Sequence, residues 1–294
     1  MSEYIYYPGC SLKGNSKHYE ESLLPVFKTL GMEFEEMEDW NCCGATAYFS
    51  VDDAMATTIS GRNLSIAEKA GKDLMAPCAG CYLTLKKSNN FLKSGVDSAK
   101  KTLQNLKANG SEYKGSINVI HPLEVLVQDF GMDAIREKVT TPLKGFKVAS
   151  YYGCQLVRPF TEFDDPDYPV QLDNIMEALG AEAVDYSAKT RCCGGSLTGT
   201  IMEVGRRLNY ILLKEAKRKG ADAIVTICPL CQFNLELMQA GIEKEYKEKF
   251  EIPILYFTQL MGVAFGIPKE DLGFSRSVIP LKKMWAEINN GGSK

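Results

Sequence analysis

The sequence predicts an α/β protein with two pseudo-symmetric lobes, each a small, mostly parallel sheet covered by helices. β-rich runs alternate with helical patterns, as parallel sheets require. The second half of the chain repeats the first, and the repeated positions include ten cysteines. The Pro- and Gly-containing segment "TTPLKG" at 140–145 predicts a first lobe at 1–143 and a second at 144–294.

Local patterns predict the elements of the first half. Its strands are the short runs "YIYYP", "MEFEEM" and "DLMAP". Residues 16–30 have helical apolar spacing before Gly31, with His18 on the surface, and "VDDAMATTISGRNLSIAEKAG" is a second helix. The polar segment 86–116 has no equally long counterpart in the second half, so we expect a solvated helix or hairpin there.

The second half has the same alternation. Its strands are "KVASYY", "AEAVDY" and "DAIVTI", and its helices cover 169–179, 196–219 and 229–248, with Gly180 and Gly220 as stops. The closing segments "VIHPLEVLVQDFG" and "ILYFTQLMGVAFG" also correspond. An internal duplication therefore accounts for most of the chain, with 86–116 as the exception.

Composition excludes several classes of function. With 34 basic and 37 acidic residues, the chain has no electrostatic footprint for nucleic acid. We find no signal peptide, and the longest apolar stretch, at 252–268, is interrupted and shorter than the roughly 20 residues of a membrane helix. Dinucleotide and phosphate-loop motifs are absent, so flavin and nicotinamide are not expected in this chain. We expect a cytoplasmic protein.

The ten cysteines form two sets of five in the same order. In each set a single cysteine precedes a Cys-Cys-Gly sequence, and a Cys-x-x-Cys motif follows after 34 residues. "YYPGC" at 6–10 corresponds to "YYGC" at 151–154, and "APCAGCYLTL" at 76–85 to "ICPLCQFNLEL" at 227–237. The members are Cys10, Cys42, Cys43, Cys78 and Cys81, then Cys154, Cys192, Cys193, Cys228 and Cys231.

We expect these cysteines where strands end and helices begin, where ligands collect and helix N-termini favour thiolates. Zinc takes four ligands, and neighbouring cysteines suit one mononuclear site poorly. A redox dithiol would explain only the Cys-x-x-Cys motifs, and the closely spaced motif of a standard cubane is absent. The spacing favours a polynuclear iron–sulfur assembly, with zinc as the alternative.

The repeated Cys-Cys-Gly and Cys-x-x-Cys pattern resembles the cysteine-rich CCG domain, and the whole chain resembles the B subunit of heterodisulfide reductase. The resemblance implies one noncubane [4Fe-4S] cluster per set: Cys10, Cys42, Cys43, Cys78 and Cys81 for the first, and Cys154, Cys192, Cys193, Cys228 and Cys231 for the second. The duplication adds the hypothesis that the clusters face the interface between the lobes, with the substrate between them.

The function implied by the resemblance is reduction of the mixed disulfide of coenzyme M and coenzyme B in methanogenesis. Each cluster would capture one sulfur as the disulfide breaks. Electrons would arrive from a ferredoxin-like C subunit, with a flavin- and iron–sulfur-carrying A subunit beyond it. A hydrogenase or formate dehydrogenase would act upstream in this multi-subunit complex.

Other residues are candidates beside the clusters. The glycines Gly44, Gly194 and Gly195 could let backbone approach a cluster closely, or could form ordinary turns. His121, whose repeat counterpart is Tyr256, could donate protons or could cap a helix. Cations near the cysteines could bind the anionic ends of the substrate, or could be solvated surface. These cations are Lys13, Arg158, Lys189 and Arg191.

Two other readings remain open from the sequence. The chain could serve another oxidoreductase with CCG domains, of the glycolate, lactate, glycerol-3-phosphate or quinone-linked succinate/fumarate type. It could also be a non-catalytic electron-transfer or structural metal subunit, although two complete five-cysteine sets exceed what one inert site needs.

Overall fold

The computed structural model describes residues 3–45, 48–281 and 285. A few residues of each predicted lobe therefore lie outside the described residues. The strands are β1 Tyr4–Tyr6, β2 Glu35–Glu36, β3 Asp73–Met75, β4 Val119–Ile120, β5 Lys147–Tyr151, β6 Glu182–Ala183, β7 Ala223–Thr226 and β8 Ile254–Tyr256. All six strand segments predicted from the sequence contain one of these strands. β4 and β8 were not predicted as strands; they lie in the closing segments at 119–131 and 254–266, for which the sequence analysis gives a correspondence but no secondary structure.

Helices follow or connect these strands. They are α1 Gly9–Lys13, α2 Lys17–Thr29, α3 Asp53–Lys69, α4 Ala79–Lys93, α5 Asp97–Ala108, α6 Pro122–Val125, α7 Gly131–Glu137, α8 Gln171–Ala178, α9 Leu197–Thr200, α10 Met202–Arg218, α11 Pro229–Leu237, α12 Gln239–Tyr246 and α13 Phe257–Ala264. No helix in the described ranges combines the length and apolar character needed to cross a bilayer.

The eight strands form two parallel sheets with the same strand order. The first sheet has the order β2-β1-β3-β4, and the second has the order β6-β5-β7-β8. In the first, Ile5 pairs with Glu35 and Leu74, and in the second, Val148 pairs with Ala183 and Ala223. The predicted duplicated α/β architecture is confirmed.

Three predicted helical segments differ from the structure in detail. The helix predicted at 196–219 is interrupted at Ile201, whose φ of −128° and ψ of 72° are not helical. The helix predicted at 229–248 is divided at Met238 into α11 and α12. The segment 86–116 is helical as predicted, but α5 is not fully solvated, since it buries Ala99, Thr102 and Leu106.

The chain divides into two compact units. Unit 1 contains residues 1–15 and 32–125, and unit 2 contains 16–31 and 126–294, each taken over its described residues. Each sheet lies in one unit, and each five-cysteine set does too. The boundary predicted at 143/144 separates the sequence repeats and stays a prediction. Two segments of the first repeat, 16–31 and the residues from 126 to 143, belong to unit 2.

Helix α2 lies in the first of these two segments, and it packs in unit 2 against α13. The ring of Tyr19 stacks on that of Tyr256, with centroids 4.1 Å apart and planes 4° apart. The hydroxyls of Ser22 and Thr258 share a buried hydrogen bond of 2.6 Å. His18, expected on the surface, is only 3% exposed, because this packing covers its face of the helix. That expectation was wrong.

Candidate metal centres

The ends of neighbouring parallel strands position the cysteines. In unit 1, the chain leaves β1 into Cys10 and leaves β3 into Cys78, the N-cap of α4. In unit 2, it leaves β5 towards Cys154 and leaves β7 into Cys228, the N-cap of α11. These strands are adjacent at the centre of each sheet, at the switch in strand order where α/β proteins bind ligands.

The five thiols of unit 1 interact in a chain of pairs. Cys43 hydrogen-bonds with Cys42 and Cys81. Cys81 also hydrogen-bonds with Cys78, and Cys10 interacts electrostatically with Cys42. The fold thus brings together residues that the sequence separates by up to 71 positions, from Cys10 to Cys81.

The five thiols of unit 2 have the same arrangement. Cys192 hydrogen-bonds with Cys154 and Cys193. The Sγ atoms of Cys193 and Cys231 are 3.5 Å apart, and Cys231 also hydrogen-bonds with Cys228. The five thiols of each predicted set therefore lie close together, and each set lies within its own unit.

One thiol in each set is favoured as the thiolate. Hydrogen bonds from Cys42 and Cys81 lower the pKa of Cys43 to about 4. Hydrogen bonds from Cys154 and Cys193 lower the pKa of Cys192 to about 2. A thiolate is the form that binds metal, so each set has a starting ligand at neutral pH.

The expected effect of helix N-termini on the thiols is wrong for two of them. Cys81 lies in the first turn of α4 and Cys231 in that of α11, yet both have pKa values well above the ordinary value. The first cause is their hydrogen bond to Cys43 or Cys193, joined by burial. The neighbouring thiols therefore affect these two pKa values more than the helix N-termini do.

The donor sets fit an iron–sulfur cluster. In the described part of the chain, no three His, Cys, Asp or Glu side chains are grouped around the position of one metal ion. The sulfurs are linked pair by pair, an arrangement that offers different sulfurs to different irons. All ten donors are thiols, the ligands that iron–sulfur clusters use.

Two buried tyrosines that sequence analysis missed hold the cysteine pairs. The hydroxyl of Tyr7 donates to the carbonyl of Asn41 at 2.8 Å, and that of Tyr151 donates to the carbonyl of Arg191 at 2.7 Å. Each acceptor immediately precedes a Cys-Cys pair. Burial raises the pKa of both hydroxyls, so both remain protonated donors. The signal was present in the repeat, since each tyrosine lies three residues before the first cysteine of its set.

We expect Tyr7→Phe to loosen the first cysteine pair and to destabilise the protein by about 1–3 kcal/mol, since a part-buried carbonyl loses its donor. Anaerobic thermal unfolding and the electron paramagnetic resonance (EPR) spectrum of the reduced protein check both effects. Tyr113→Phe is the matched control, because Tyr113 donates to Asn89 at 2.6 Å in the same unit. A spectrum changed equally by both variants would contradict the positioning role.

Glycines one residue before each first cysteine make room for sulfur. Gly9 and Gly153 have φ values of +66° and +67°. A Cβ at Gly9 would lie 3.2 Å from Sγ of Cys81, and one at Gly153 would lie 3.1 Å from Sγ of Cys231. Both positions therefore need glycine for backbone conformation and for space.

The glycines predicted from the sequence have a different neighbourhood. Gly44, Gly194 and Gly195 all have positive φ, at 85°, 93° and 52°. A Cβ at Gly44 would meet the carbonyl of Ala56 at 3.4 Å, and one at Gly194 would meet Cα of Gly205 at 3.2 Å. These contacts let the loops pack on α3 and α10, and the N–H of Gly194 donates to Sγ of Cys192 at 3.3 Å.

We expect Gly9→Ala to cost about 1–2 kcal/mol in backbone strain and additionally to lower the iron content of unit 1. Gly71→Ala is the control for strain, because Gly71 has φ +67° and nothing within 4 Å of its Cβ position. Thermal unfolding and iron analysis of both variants separate the two effects. Equal iron loss in Gly71→Ala would show that contact with sulfur is unimportant.

Side chains from neighbouring helices hold the carbonyl of the second cysteine in each pair. Ser60 donates to the carbonyl of Cys43 at 2.6 Å, and Asn209 donates to that of Cys193 at 2.8 Å. In unit 2, Nδ2 of the fully buried Asn234 also lies 3.5 Å from Sγ of Cys193. Hydrogen bonds to cluster sulfurs tune the reduction potential, and orienting partners of this kind affect metal affinity.

His121 is fully buried and occupies the N-cap position of α6. Its Nε2 donates to the carbonyl of Pro77 at 2.8 Å, and its Nδ1 accepts from the N–H of Leu123 at 3.1 Å. The side chain of Glu124 accepts from the His121 N–H at 2.8 Å, which completes a capping box. Through Pro77 this cap also fixes the approach to Cys78. The proton-donor role of His121 stays a prediction.

Three of the four predicted cations have partners within the chain. Nζ of Lys13 lies 2.7 Å from Glu36, and Arg158 donates to the carbonyl of Pro166 at 2.6 Å. Lys189 is 3% exposed and forms a 2.7 Å ion pair with Asp173.

Lys189 also supports the loop before Cys154 through its backbone. Its carbonyl accepts from the N–H groups of Tyr152 and Gly153 at 3.0 and 3.1 Å. A buried ion pair thus anchors the strand end that presents Cys154. This places Lys189 among the residues that organise the site.

Arg191 is the fourth cation and is exposed beside Cys192. Among the residues that the structure describes, no carboxylate forms an ion pair with it. Its carbonyl is fixed by Tyr151, so its backbone position is defined. Arg191 can therefore present a guanidinium to an anionic group near the second thiol set.

The fold and the two thiol sets define a duplicated, cysteine-rich α/β protein of the metal-cluster class. Comparison with protein-family models gives the same class, since the cysteine-rich domain CCG matches residues 4–86 and 148–236. The chain belongs to this CCG family, in the group that includes the B subunits of heterodisulfide reductases. It is thus an iron–sulfur type of subunit from a family of oxidoreductase complexes.

Several relatives match this chain over nearly its full length, among them the following two. The 8-methylmenaquinol:fumarate reductase membrane anchor subunit of Wolinella succinogenes is 32% identical over 97% of this chain and 99% of its own. The B subunit of the ferredoxin/F(420)H(2)-dependent CoB-CoM heterodisulfide reductase of Methanosarcina acetivorans is 31% identical over 98% of this chain and 97% of its own.

A solved structure shares the fold. A hypothetical protein from Helicobacter pylori superposes with a TM-score of 0.74 at 15% identity, over 94% of this chain and 52% of that chain. At this identity the likeness concerns the fold alone.

Proposed function

We propose that the protein is the disulfide-reducing subunit of a heterodisulfide reductase, acting on the mixed disulfide of coenzyme M and coenzyme B. The observation that carries the proposal is the completeness of both five-cysteine sets, each gathered in its own unit. Similarity over 98% of the chain to the B subunit of such an enzyme supports the choice of substrate.

In this proposal each set holds one noncubane [4Fe-4S] cluster. Cys10, Cys42, Cys43, Cys78 and Cys81 hold the first, and Cys154, Cys192, Cys193, Cys228 and Cys231 hold the second. The clusters, when bound, supply one-electron transfer and iron with an affinity for sulfur. Tyr7, Tyr151 and the glycines before the first cysteines fix the geometry of the two sets.

The reaction takes up two electrons and two protons, cleaves the sulfur–sulfur bond and releases two thiols. We propose a ferredoxin-like partner subunit as the electron donor. A flavin-containing subunit and a hydrogenase or formate dehydrogenase lie further upstream, in a cytoplasmic complex of methanogenesis. The relatives named as subunits of heterodisulfide and fumarate reductases support membership of such a complex.

Metal analysis and EPR test the proposal. Anaerobically purified protein is expected to contain about eight irons with matching sulfide. Adding the mixed disulfide or either thiol should change the EPR spectrum, and a reduced viologen dye should drive reduction of the disulfide. Zinc without sulfide would refute the proposal. Iron with an EPR spectrum that neither thiol changes would refute it as well.

Arg191 is the residue we assign to an anionic group of the substrate. Arg191→Gln is expected to raise KM for the mixed disulfide about tenfold while the iron content stays unchanged, because a charge-assisted hydrogen bond is lost. Lys13→Gln is the matched control near the first set, since Lys13 is already paired with Glu36. An equal rise of KM in both variants would remove Arg191 from this role.

A second candidate function is that of a CCG subunit in a quinone-linked fumarate reductase. The observation in its favour is the 32% identity to the anchor subunit of the menaquinol:fumarate reductase. In that case the purified protein would carry iron but would not reduce the mixed disulfide, and thiols would leave the EPR spectrum unchanged. Fumarate reduction by a menaquinol analogue, assayed with the partner subunits, would then identify the activity.

A further inference from the structure

Unit 1 contains a cavity of about 610 Å³ beside helix α5. Small-molecule sites in proteins have volumes of about 300–1,000 Å³. The cavity lies where α3, α4 and α5 meet the 3₁₀ turn at Tyr48–Ser50. Its lining consists of Phe49, Asp53, Ala54, Thr57, Lys87, Ser88, Phe91, Ser98, Lys101, Thr102 and Asn105. α5 belongs to the segment without an equally long counterpart in the second repeat, so the cavity is a feature of the first repeat.

The space results from side-chain size. Towards its C-terminus, α5 packs closely on α3, where a Cβ at Gly61 would lie only 2.7 Å from Leu106. Nearer the N-terminus of α5, several of the residues that line the cavity are small or hydroxylated. They are Ala54, Thr57, Ser88, Ser98 and Thr102. A well-packed core would fill this space with larger apolar side chains.

One wall residue has an unsatisfied hydrogen-bonding group. Ser88 is 2% exposed, and its hydroxyl has no hydrogen-bond partner among the described residues. A buried polar group without a partner costs about 1–3 kcal/mol. A polar group of a bound molecule would supply the missing partner.

The charges of the lining favour an anion. Lys87 on α4 and Lys101 on α5 both line the cavity, and within the described ranges neither has a carboxylate in an ion pair. Their neighbour Lys100, in contrast, is paired with Asp97 at 3.2 Å. Asp53 is the one acidic residue of the lining, so the cavity carries a net positive charge.

We propose that this cavity binds a small amphipathic anion, a carboxylate or phosphate monoester on an alkyl or aryl body of about eight carbons. The body packs against Phe49 and Phe91, and the anionic group binds Lys87 and Lys101. An oxygen of the ligand accepts the hydrogen bond from Ser88. The site is made by unit 1 alone and does not depend on the proposed disulfide reduction.

Calorimetric titration of the full-length, cluster-loaded protein tests the site. The probes are octanoate, octyl phosphate and the neutral octanol, and the two anions distinguish carboxylate from phosphate ligands. At least one anion is expected to bind about tenfold or more tightly than octanol, because octanol lacks the charge-assisted contacts. Equal affinity for all three probes, or no saturable binding, would overturn the proposal.

Variants locate the binding. The double variant Lys87→Gln, Lys101→Gln should weaken anion binding about tenfold or more, whereas Lys107→Gln, on α5 but outside the lining, should not. Ser88→Ala should leave the thermal stability of the ligand-free protein equal or higher, since an unsatisfied hydroxyl is removed, and should reduce the stabilisation by ligand. Equal weakening by Lys107→Gln, or ligand stabilisation unchanged in Ser88→Ala, would refute the assignment.

Discussion

Replacing Cys81 by alanine is expected to remove about four of about eight irons and to leave the rest in place. The five thiols around Cys81 belong to unit 1 and the other five to unit 2, so loss of one set leaves the second intact. Cys81 contacts both Cys43 and Cys78, so its replacement removes the thiol that links these two. Cys231→Ala should produce the mirror-image loss in unit 2.

Iron and sulfide analysis with EPR of each variant measures this outcome. Ser88→Ala is the control, because it removes one buried heavy atom from the same helix without touching a thiol. Loss of all iron in either cysteine variant, with the fold retained by circular dichroism, would show that the two sets assemble as one. Retention of all iron would show that Cys81 is not a ligand.

Lys189→Met is expected to give the largest loss of stability, about 3–5 kcal/mol, because the carboxylate of Asp173 would stay buried without its partner. The ion pair measures 2.7 Å, and its two side chains are 3% and 11% exposed. For a unit of this size the loss corresponds to a fall in Tm of about 6–20 °C. The loop before Cys154 should loosen as well, since the Lys189 carbonyl holds it.

Lys219→Met is the matched control in the same unit. Its ion pair with Asp185 has the same 2.7 Å length, but the side chains are 23% and 71% exposed. Such a surface pair contributes about 0–1 kcal/mol. Anaerobic scanning fluorimetry compares the two variants, and equal shifts in Tm would contradict the importance of burial.

The deficit of Lys189→Met should depend on pH in a defined direction. Burial already raises the pKa of Asp173 in the native protein, against the lowering effect of Lys189. Without the lysine this pKa rises further above the unfolded value, so the folded variant binds a proton more tightly than the unfolded chain. Stability relative to the native protein should therefore recover as pH falls from 8 to about 5. A deficit that grows on acidification would contradict this assignment.

Much of the fold and site was predictable because the chain is duplicated. Each pattern that was ambiguous in one half had a second copy, so the duplicated architecture and three strands of each sheet were predicted correctly. Tyr7 and Tyr151 could have been found in the same way, from the tyrosine repeated three residues before each first cysteine.

Several other features that were missed have no repeated copy. The sequence places Lys189 beside a cysteine pair, but its partner Asp173 lies 16 positions away, and no local pattern reveals a buried pair. His18 was misplaced because helical periodicity does not say which unit covers a helix. The cavity beside α5 depends on small residues from three helices, and only tertiary packing brings them together.

The membership of α2 in unit 2 has a consequence for the newly made chain. Leu23, Val26 and Phe27 of this helix are fully buried in the finished protein, and Ser22 is bonded to Thr258, 236 residues further on. At synthesis rates of about 5–20 residues per second, α13 is made on the order of tens of seconds after α2. The apolar face of α2 stays without these packing partners during that time. The first sheet can form early on the ribosome, but the second must wait for the end of the chain. A truncated first repeat would expose the unpaired face of α2 and would be prone to aggregation, so the two repeats, although copies in sequence, must be made together.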